Sequence, residues 1–356
     1  MSFSIIYAGS KFTLTEFCKE IFDQEFLIVA QDFLSRWQNN HLFIFKTSGT
    51  TGTPKQLSFE KWQLIKSATA TINALNLIKG EEHLLLCIHP KFIGGAMMLA
   101  RALVLDCEVT LLAPHSNIFD FIPKAHPYSF VSLVQLQVLN QKFDIGKFNQ
   151  FRNVLIGGSS ISNDLISKLS GCKPKVFHTY ATTETLSHVA LKQLFKDIGY
   201  RVLPDYSIEI DSQNRVCIST PFLDQQLVTN DIGNWIKPNE FEILGRVDFT
   251  INSGGIKIQP ENLEKVLLEL EWLKNKGEFY IGKAKDLILG EKIVLVVDFP
   301  LNDFEWQKLK DYLHSKAFKY ELPKQVLQIS QFPITESGKL NRRKLNEWID
   351  YQQNTM

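Results

Sequence analysis

From residue 41 to about 220, short apolar runs alternate with longer stretches whose apolar residues recur every three or four positions. HLFIFKTSG (41–49), HLLLCIHP (83–90), EVTLLAP (108–114), FVSLV (130–134), RNVLIGG (152–158) and KVFHTY (175–180) read as strands. FEKWQLIKSATATINALNL (59–77) and SNDLISKLS (162–170) read as helices. FIGGAMMLARALVLDCEVTLLA (92–113) reads as a buried helix running into a strand, because Arg101, Asp106 and Glu108 interrupt what would otherwise resemble a membrane span. This alternation predicts a large α/β domain with mainly parallel sheets flanked by helices. YSIEIDSQNRVCIST (206–220) changes character and predicts an antiparallel hairpin. After LGRVDFTINSGGIKI (244–258) the pattern restarts. Pro260 opens a helix with Leu263, Val266, Leu267 and Leu270 on one face, followed by a strand at KIVLVVDF and a helix at DFEWQKLKDYLHSKA. The expected organisation is therefore an α/β domain over 1–246 and a small α+β domain over 247–356.

Composition narrows the class. Hydrophobic residues make up 44% and charged residues 22% of 356, the balance of a globular protein. Lysine and arginine total 39 against 38 acids, so no long-range field favours nucleic acid or an anionic membrane. Cys18, Cys87, Cys107, Cys172 and Cys217 are scattered without a CxxC pair, which predicts reduced thiols rather than a zinc site or disulfide framework. MSFSIIYAGSKF has no basic segment ahead of its short apolar run, so a secretory leader is not expected and a cytoplasmic location is.

The candidate chemistry begins at FKTSGTTGTPKQLSF (45–59). Gly49 and Gly52 let backbone approach a ligand closely, Thr47, Ser48, Thr50, Thr51 and Thr53 add hydroxyls, and Lys55 adds charge. These parts suit a polyphosphate. They also suit an ordinary Gly/Thr turn, and Pro54 excludes the Walker A pattern.

Five ordered motifs decide between the two. TSGTTGTPK (47–55), TYATTE (179–184), TND (229–231), GRVDFTINSGGIKIQPENLE (245–264) and PITESGKLNRRKL (333–345) resemble the phosphate, YGxTE, TGD, GRxDDxIxxGGxxIxPxEIE and PxTxxGKxxRxxL signatures of the adenylate-forming superfamily. The resemblance implies an AMP-forming carboxylate ligase that uses ATP and Mg²⁺ to make an acyl-adenylate, then passes the acyl group to coenzyme A. It implies that Thr47, Ser48, Gly49, Thr50, Thr51, Gly52 and Lys55 hold phosphates, with Thr183 contacting phosphate and Glu184 binding Mg²⁺. Tyr180 would stack on adenine, and Gly157, Gly158 and Ser159 would form a close nucleotide wall. Asp231, with Arg246 nearby, would take the ribose hydroxyls. Lys339 would reach the α-phosphate, Asp248 would be a hinge for a rotating small domain, and Gly254, Gly255 and Lys257 would face the site in the thioester-forming state. Ala181 and Asn230 replace glycines of the YGxTE and TGD patterns, Phe249 replaces the second acid after the hinge, and fewer residues than usual precede the phosphate loop.

SLVQLQVLN (132–140), VLIGGSSIS (154–162), TETLSHVAL (183–191) and LVTND (227–231) further resemble the o-succinylbenzoate–CoA ligases of menaquinone biosynthesis. Such a substrate carries a second carboxylate, which needs a cation or several donors. His89, Lys91, Ser187 and His188 are the candidate acid contacts, with Lys91 and His188 the expected partners of that carboxylate. The alternatives are a ligase for another acid, an enzyme loading a carrier protein, and a nucleotide-binding relic. An assembly of identical chains is compatible with the sequence, but no motif encodes one.

Overall fold

The computed structural model describes residues 2–46, 56–123, 127–158, 161–316, 321–334 and 340–355. The chain divides into two compact units. The first comprises Met1–Glu209, Cys217–Leu227 and Trp235–Phe241; the second comprises Ile210–Val216, Val228–Asn234 and Glu242–Met356. The expected cut at 246/247 thus lies inside the second unit, which also recruits two short pieces of earlier sequence.

In the first unit, neighbouring strands run in the order Tyr200–Val202, His188–Gln193, Lys175–Ala181, Phe151–Gly157, Tyr128–Val134, His83–Leu86, Glu108–Leu111, Ser4–Tyr7 and Ser10–Phe12. Contacts from Lys175–Ala181 through to Ser4–Tyr7 are all parallel. Beyond Lys175–Ala181 the pairing turns antiparallel. The sheet is therefore mixed, with the parallel part where apolar runs alternate with helices. Val131, Leu133, Val154, Ile156 and Val176 on one face pack with Val138, Leu165 and Leu169 from the covering helices. The Ile93–Leu105 helix is apolar almost all round and is correspondingly buried, in contact with Lys61–Leu75, Glu25–Asn39 and the sheet.

One strand departs from the sequence expectation. Phe43–Lys46 does not join the parallel set; it pairs antiparallel with Gln56–Phe59 in its own two-stranded sheet. Gln56–Phe59 carries only one fully buried residue, so its sequence lacks the apolar run that marks a core strand.

In the second unit, the sheet Ile256–Ile258, Ile251–Ser253, Gly290–Val297, Phe279–Asp286 takes Gln325–Gln328 as a parallel addition on Gly290–Val297. Alternation separates its two faces. Ile281, Ile293, Leu295 and Val297 pack with Leu263, Leu267, Leu309 and Leu313, whereas Tyr280, Ala284, Val294 and Val296 pack with Leu345 and Ile349 of the Arg342–Thr355 helix. Gly282 leaves the room for that helix, since a Cβ there would lie 2.4 Å from Ile349 Cδ1. Among the described residues, no helix is long and apolar enough to cross a membrane. Cys87, Cys107 and Cys217 are buried, and none of the five cysteines is in a disulfide.

Candidate active site

Parallel strands send their carboxyl ends to one edge of the sheet, where α/β folds bind ligands. Three groups of candidate residues follow such ends. Gly157 terminates Phe151–Gly157, and its missing Cβ would lie 3.0 Å from Thr179 Oγ1 on the adjacent strand. Gly158 follows with φ at +109°, a conformation that favours glycine. Thr183 and Glu184 lie in the tight turn after Lys175–Ala181. Thr182 and Thr185 exchange backbone-to-side-chain hydrogen bonds there, Leu186 N–H donates to Thr183 O, and buried Leu186 adopts φ of +61°. Holding a non-glycine residue in that region costs energy that the surrounding bonds must offset. His89 and Lys91 follow His83–Leu86 and precede the Ile93–Leu105 helix.

The same turn delivers Ser187 and His188 into the interior, where they join a helix-borne cation. Arg101 is 1% exposed, and its Nη2 donates to Ser187 Oγ at 2.5 Å. His188 Nδ1 lies 3.1 Å from Ser187 Oγ and Nε2 2.9 Å from Thr71 Oγ1. Thr71 Oγ1 in turn donates to Ser67 O. Donor and acceptor arithmetic orders this chain. Burial and the Arg101 charge hold the His188 pKa well below its ordinary value and so favour the neutral imidazole. In that form Ser187, which accepts from Arg101, can give its hydrogen to Nδ1 while Nε2–H donates to Thr71. Burial pulls Arg101 down from 12.5 to about 9, which leaves it charged at neutral pH. Its Nε is buried without a hydrogen-bond partner, and among the described residues no carboxylate forms an ion pair with it. Tyr206, also buried, lies close enough to interact electrostatically with Arg101.

The two expected carboxylate partners sit in different surroundings. His188 is neutral and already committed to Thr71 and Ser187. Lys91 is half-exposed, with Nζ 3.8 Å from Glu25 and above the Phe92 ring. His89 accepts from the Lys91 backbone N–H. Among the described residues, the buried arginine is Arg101, whose only signal in the sequence is a single charge within an apolar helical run. That signal was legible as an interruption of hydrophobicity and carried no chemistry by itself.

Tyr180 is buried in an aromatic cluster with Tyr200 and Phe241, at centroid distances of 5.9 and 5.6 Å. In the second unit, Arg246 bridges Asp231 at 2.9 Å and Asp248 at 2.8 Å. Gly254 and Gly255, both at positive φ, form the two-residue turn between Ile251–Ser253 and Ile256–Ile258, and Lys257 is exposed on the second strand. Thr47, Ser48, Gly49, Thr50, Thr51, Gly52, Lys55, Ser159 and Lys339 lie outside the described residues.

A family model described as AMP-binding enzyme matches residues 16–219. The 2-succinylbenzoate–CoA ligase of Enterococcus faecalis is 26% identical over 343 residues, covering 85% of this chain and 68% of its own. That of Bacillus anthracis is 23% identical over 347 residues, covering 86% and 70%. Among solved structures, an acyl-CoA synthetase (AMP-forming)/AMP-acid ligase II-like protein from Dyadobacter fermentans is 30% identical, covering 94% of this chain and 98% of its own at a TM-score of 0.61. The o-succinylbenzoate coenzyme A synthetase MenE from Bacillus subtilis, in complex with ATP and magnesium ion, has a TM-score of 0.71 at 23% identity, covering 85% and 69%. With the family model spanning more than half of the chain, this chain belongs to the AMP-binding enzyme family.

Proposed function

We propose that the chain is an ATP-dependent, AMP-forming ligase that adenylates o-succinylbenzoate and transfers the acyl group to coenzyme A. The observation that carries the choice of a dicarboxylic acid is Arg101. An arginine buried with no acidic partner among the described residues costs several kcal/mol unless a ligand supplies the charge. A substrate with one carboxylate to activate and a second to anchor supplies it. The relatives named above as 2-succinylbenzoate–CoA ligases favour the same acid.

The other parts fit the nucleotide. Glu184 is one half-buried carboxylate, and among the described residues no group of three or more histidine, cysteine, aspartate or glutamate side chains could hold a metal. One carboxylate supplemented by substrate phosphates is the usual arrangement for Mg²⁺, which would neutralise phosphate charge here. Gly157 and Gly158 admit the nucleotide against bare backbone, Tyr180 offers the adenine contact, and Asp231 offers acceptors to the ribose. Residues 47–55 and Lys339 are assigned to the phosphates by their motifs.

The test is pyrophosphate release with ATP and Mg²⁺ over a panel of aromatic and aliphatic mono- and dicarboxylic acids, with and without coenzyme A. Release with o-succinylbenzoate, and thioester only when coenzyme A is present, supports the reading. Preference for another acid keeps the reaction and discards the substrate, and release without any thioester moves the acceptor to a carrier protein. Lys91→Ala is expected to change KM for the diacid by less than about threefold, as suits a half-exposed surface charge. A change of tenfold or more in steady-state KM would return Lys91 to the pocket.

A further inference from the structure

The turn Val247–Phe249 follows the strand Glu240–Arg246 and contains no buried residue. It is the covalent link from that strand to the helix-covered sheet of the second unit. With no apolar burial, its shape depends on polar bonds. Thr250 N–H donates to Arg246 O and Val247 O, and Thr250 Oγ1 donates to Arg246 O. Gln259 Nε2 and Lys283 Nζ then hold Thr250 itself. Asp248, in the middle of the turn, accepts from Arg246 and from Asn230. Asn230 Nδ2 lies 3.0 Å from Oδ1 and 3.3 Å from Oδ2, and Arg246 Nη2 lies 2.8 Å from Oδ2.

Asn230 occupies the position at which the TGD pattern has glycine. A glycine there could not reach Asp248, and the carboxylate would keep one of these two side-chain donors. The backbone does not require the change, because Asn230 is absent from the residues at positive φ. We propose that Asn230 is a positioning residue: it clasps Asp248, holds the 247–249 turn closed, and thereby sets the balance between the adenylate-forming and thioester-forming steps. The clasp itself stands on this geometry; its effect on the two steps rests on the ligase reading. Arg246 extends the clasp to Asp231, so the carboxylate offered to the ribose and the carboxylate in the turn share one guanidinium. Segments with exposed hydrogen bonds and little buried surface open locally at low cost, and each added bond slows that opening.

Hydrogen exchange of the Thr250 amide is compared in wild type, Asn230→Ala, Asn230→Asp and Asn230→Gln, together with single-turnover rates of adenylate and thioester formation. Asn230→Ala removes the donor without adding backbone freedom and is expected to speed Thr250 exchange about three- to tenfold. Asn230→Asp, which sets a second carboxylate against Asp248, is expected to speed it further. Asn230→Gln, which keeps the amide, should recover part of the protection. The ratio of the two single-turnover rates should move at least about threefold in the alanine variant and part of the way back in the glutamine variant. Unchanged exchange in both Asn230→Ala and Asn230→Asp overturns the clasp. Faster exchange with an unchanged rate ratio overturns its role in the reaction. A wild type that forms no adenylate with any acid sinks the ligase reading and the kinetic role with it, while exchange alone still decides the clasp.

Discussion

Under the proposed function, Arg101→Met is expected to raise KM for o-succinylbenzoate by at least roughly two orders of magnitude while making the protein itself more stable. The two effects share one cause. The guanidinium is 1% exposed, paired through Nη2 with Ser187 and without a hydrogen-bond partner at Nε among the described residues. Replacing such a charge by an apolar side chain of similar length removes a desolvation cost and stabilises by about 1–2 kcal/mol. The bound diacid would then lose its partner and leave a carboxylate buried alone, at about 3–5 kcal/mol, which is roughly two to four orders of magnitude in affinity. Thermal unfolding and steady-state kinetics separate the signs. A monocarboxylate that has no second charge to place should lose much less. A KM that rises equally for mono- and dicarboxylates would assign Arg101 to the scaffold instead.

Two adjacent glycines on the same helix give the second large effect. A Cβ at Gly95 would lie 2.5 Å from Ile88 O and 2.6 Å from His89 O, both backbone atoms with nowhere to go. Gly95→Ala must therefore push the Ile93–Leu105 helix off its seat, at a cost of about 3 kcal/mol. Arg101 rides on that helix, so acid binding should weaken with it. At Gly94 the nearest atom is Ile88 Cδ1 at 3.8 Å, and Gly94→Ala should stabilise by about 0.5–1 kcal/mol, because glycine is a poor helix residue. Denaturant unfolding of the two variants gives the comparison. Equal stability would show that the helix shifts freely.

The pattern GGAMMLARALVL illustrates how much of this was readable in the sequence. Its apolar density marked a buried helix, and the following EVTLL marked a strand, because a buried parallel strand needs a continuous apolar run. The structure has both, at Ile93–Leu105 and Glu108–Leu111. Arg101 was equally visible, but a lone charge in an apolar run does not say what it faces. That depends on Ser187, 86 positions away, and on a turn whose positive-φ Leu186 follows no glycine rule. Asn230 was legible as a departure from a motif, whereas its bond to Asp248 depends on a strand and a turn 18 positions apart. Gln56–Phe59 and the Arg342–Thr355 helix left weak marks because each mixes its buried positions with many polar ones. The second strand of the C-terminal hairpin, Gly290–Val297, was plain because all five of its last residues are buried.

The second unit is assembled from three stretches of chain, and Gly233 shows how closely they fit. A Cβ on Gly233 would lie 2.7 Å from Val216 Cγ2 and 3.2 Å from Glu242 O, so one residue from each stretch meets at a single point. During synthesis, Ile210–Val216 and Val228–Asn234 leave the ribosome before the segment from Glu242 onward. At 5–20 residues per second they wait on the order of ten seconds for the rest of their unit. The same arrangement constrains inheritance. A gene exchange that joined this chain to a foreign C-terminal segment at residue 247 would bring in a new body but retain two old pieces of it. Such a chimaera would have to match at Val216 and Gly233 as well as at the join, so the exchangeable piece is larger than the linear order of the motifs suggests.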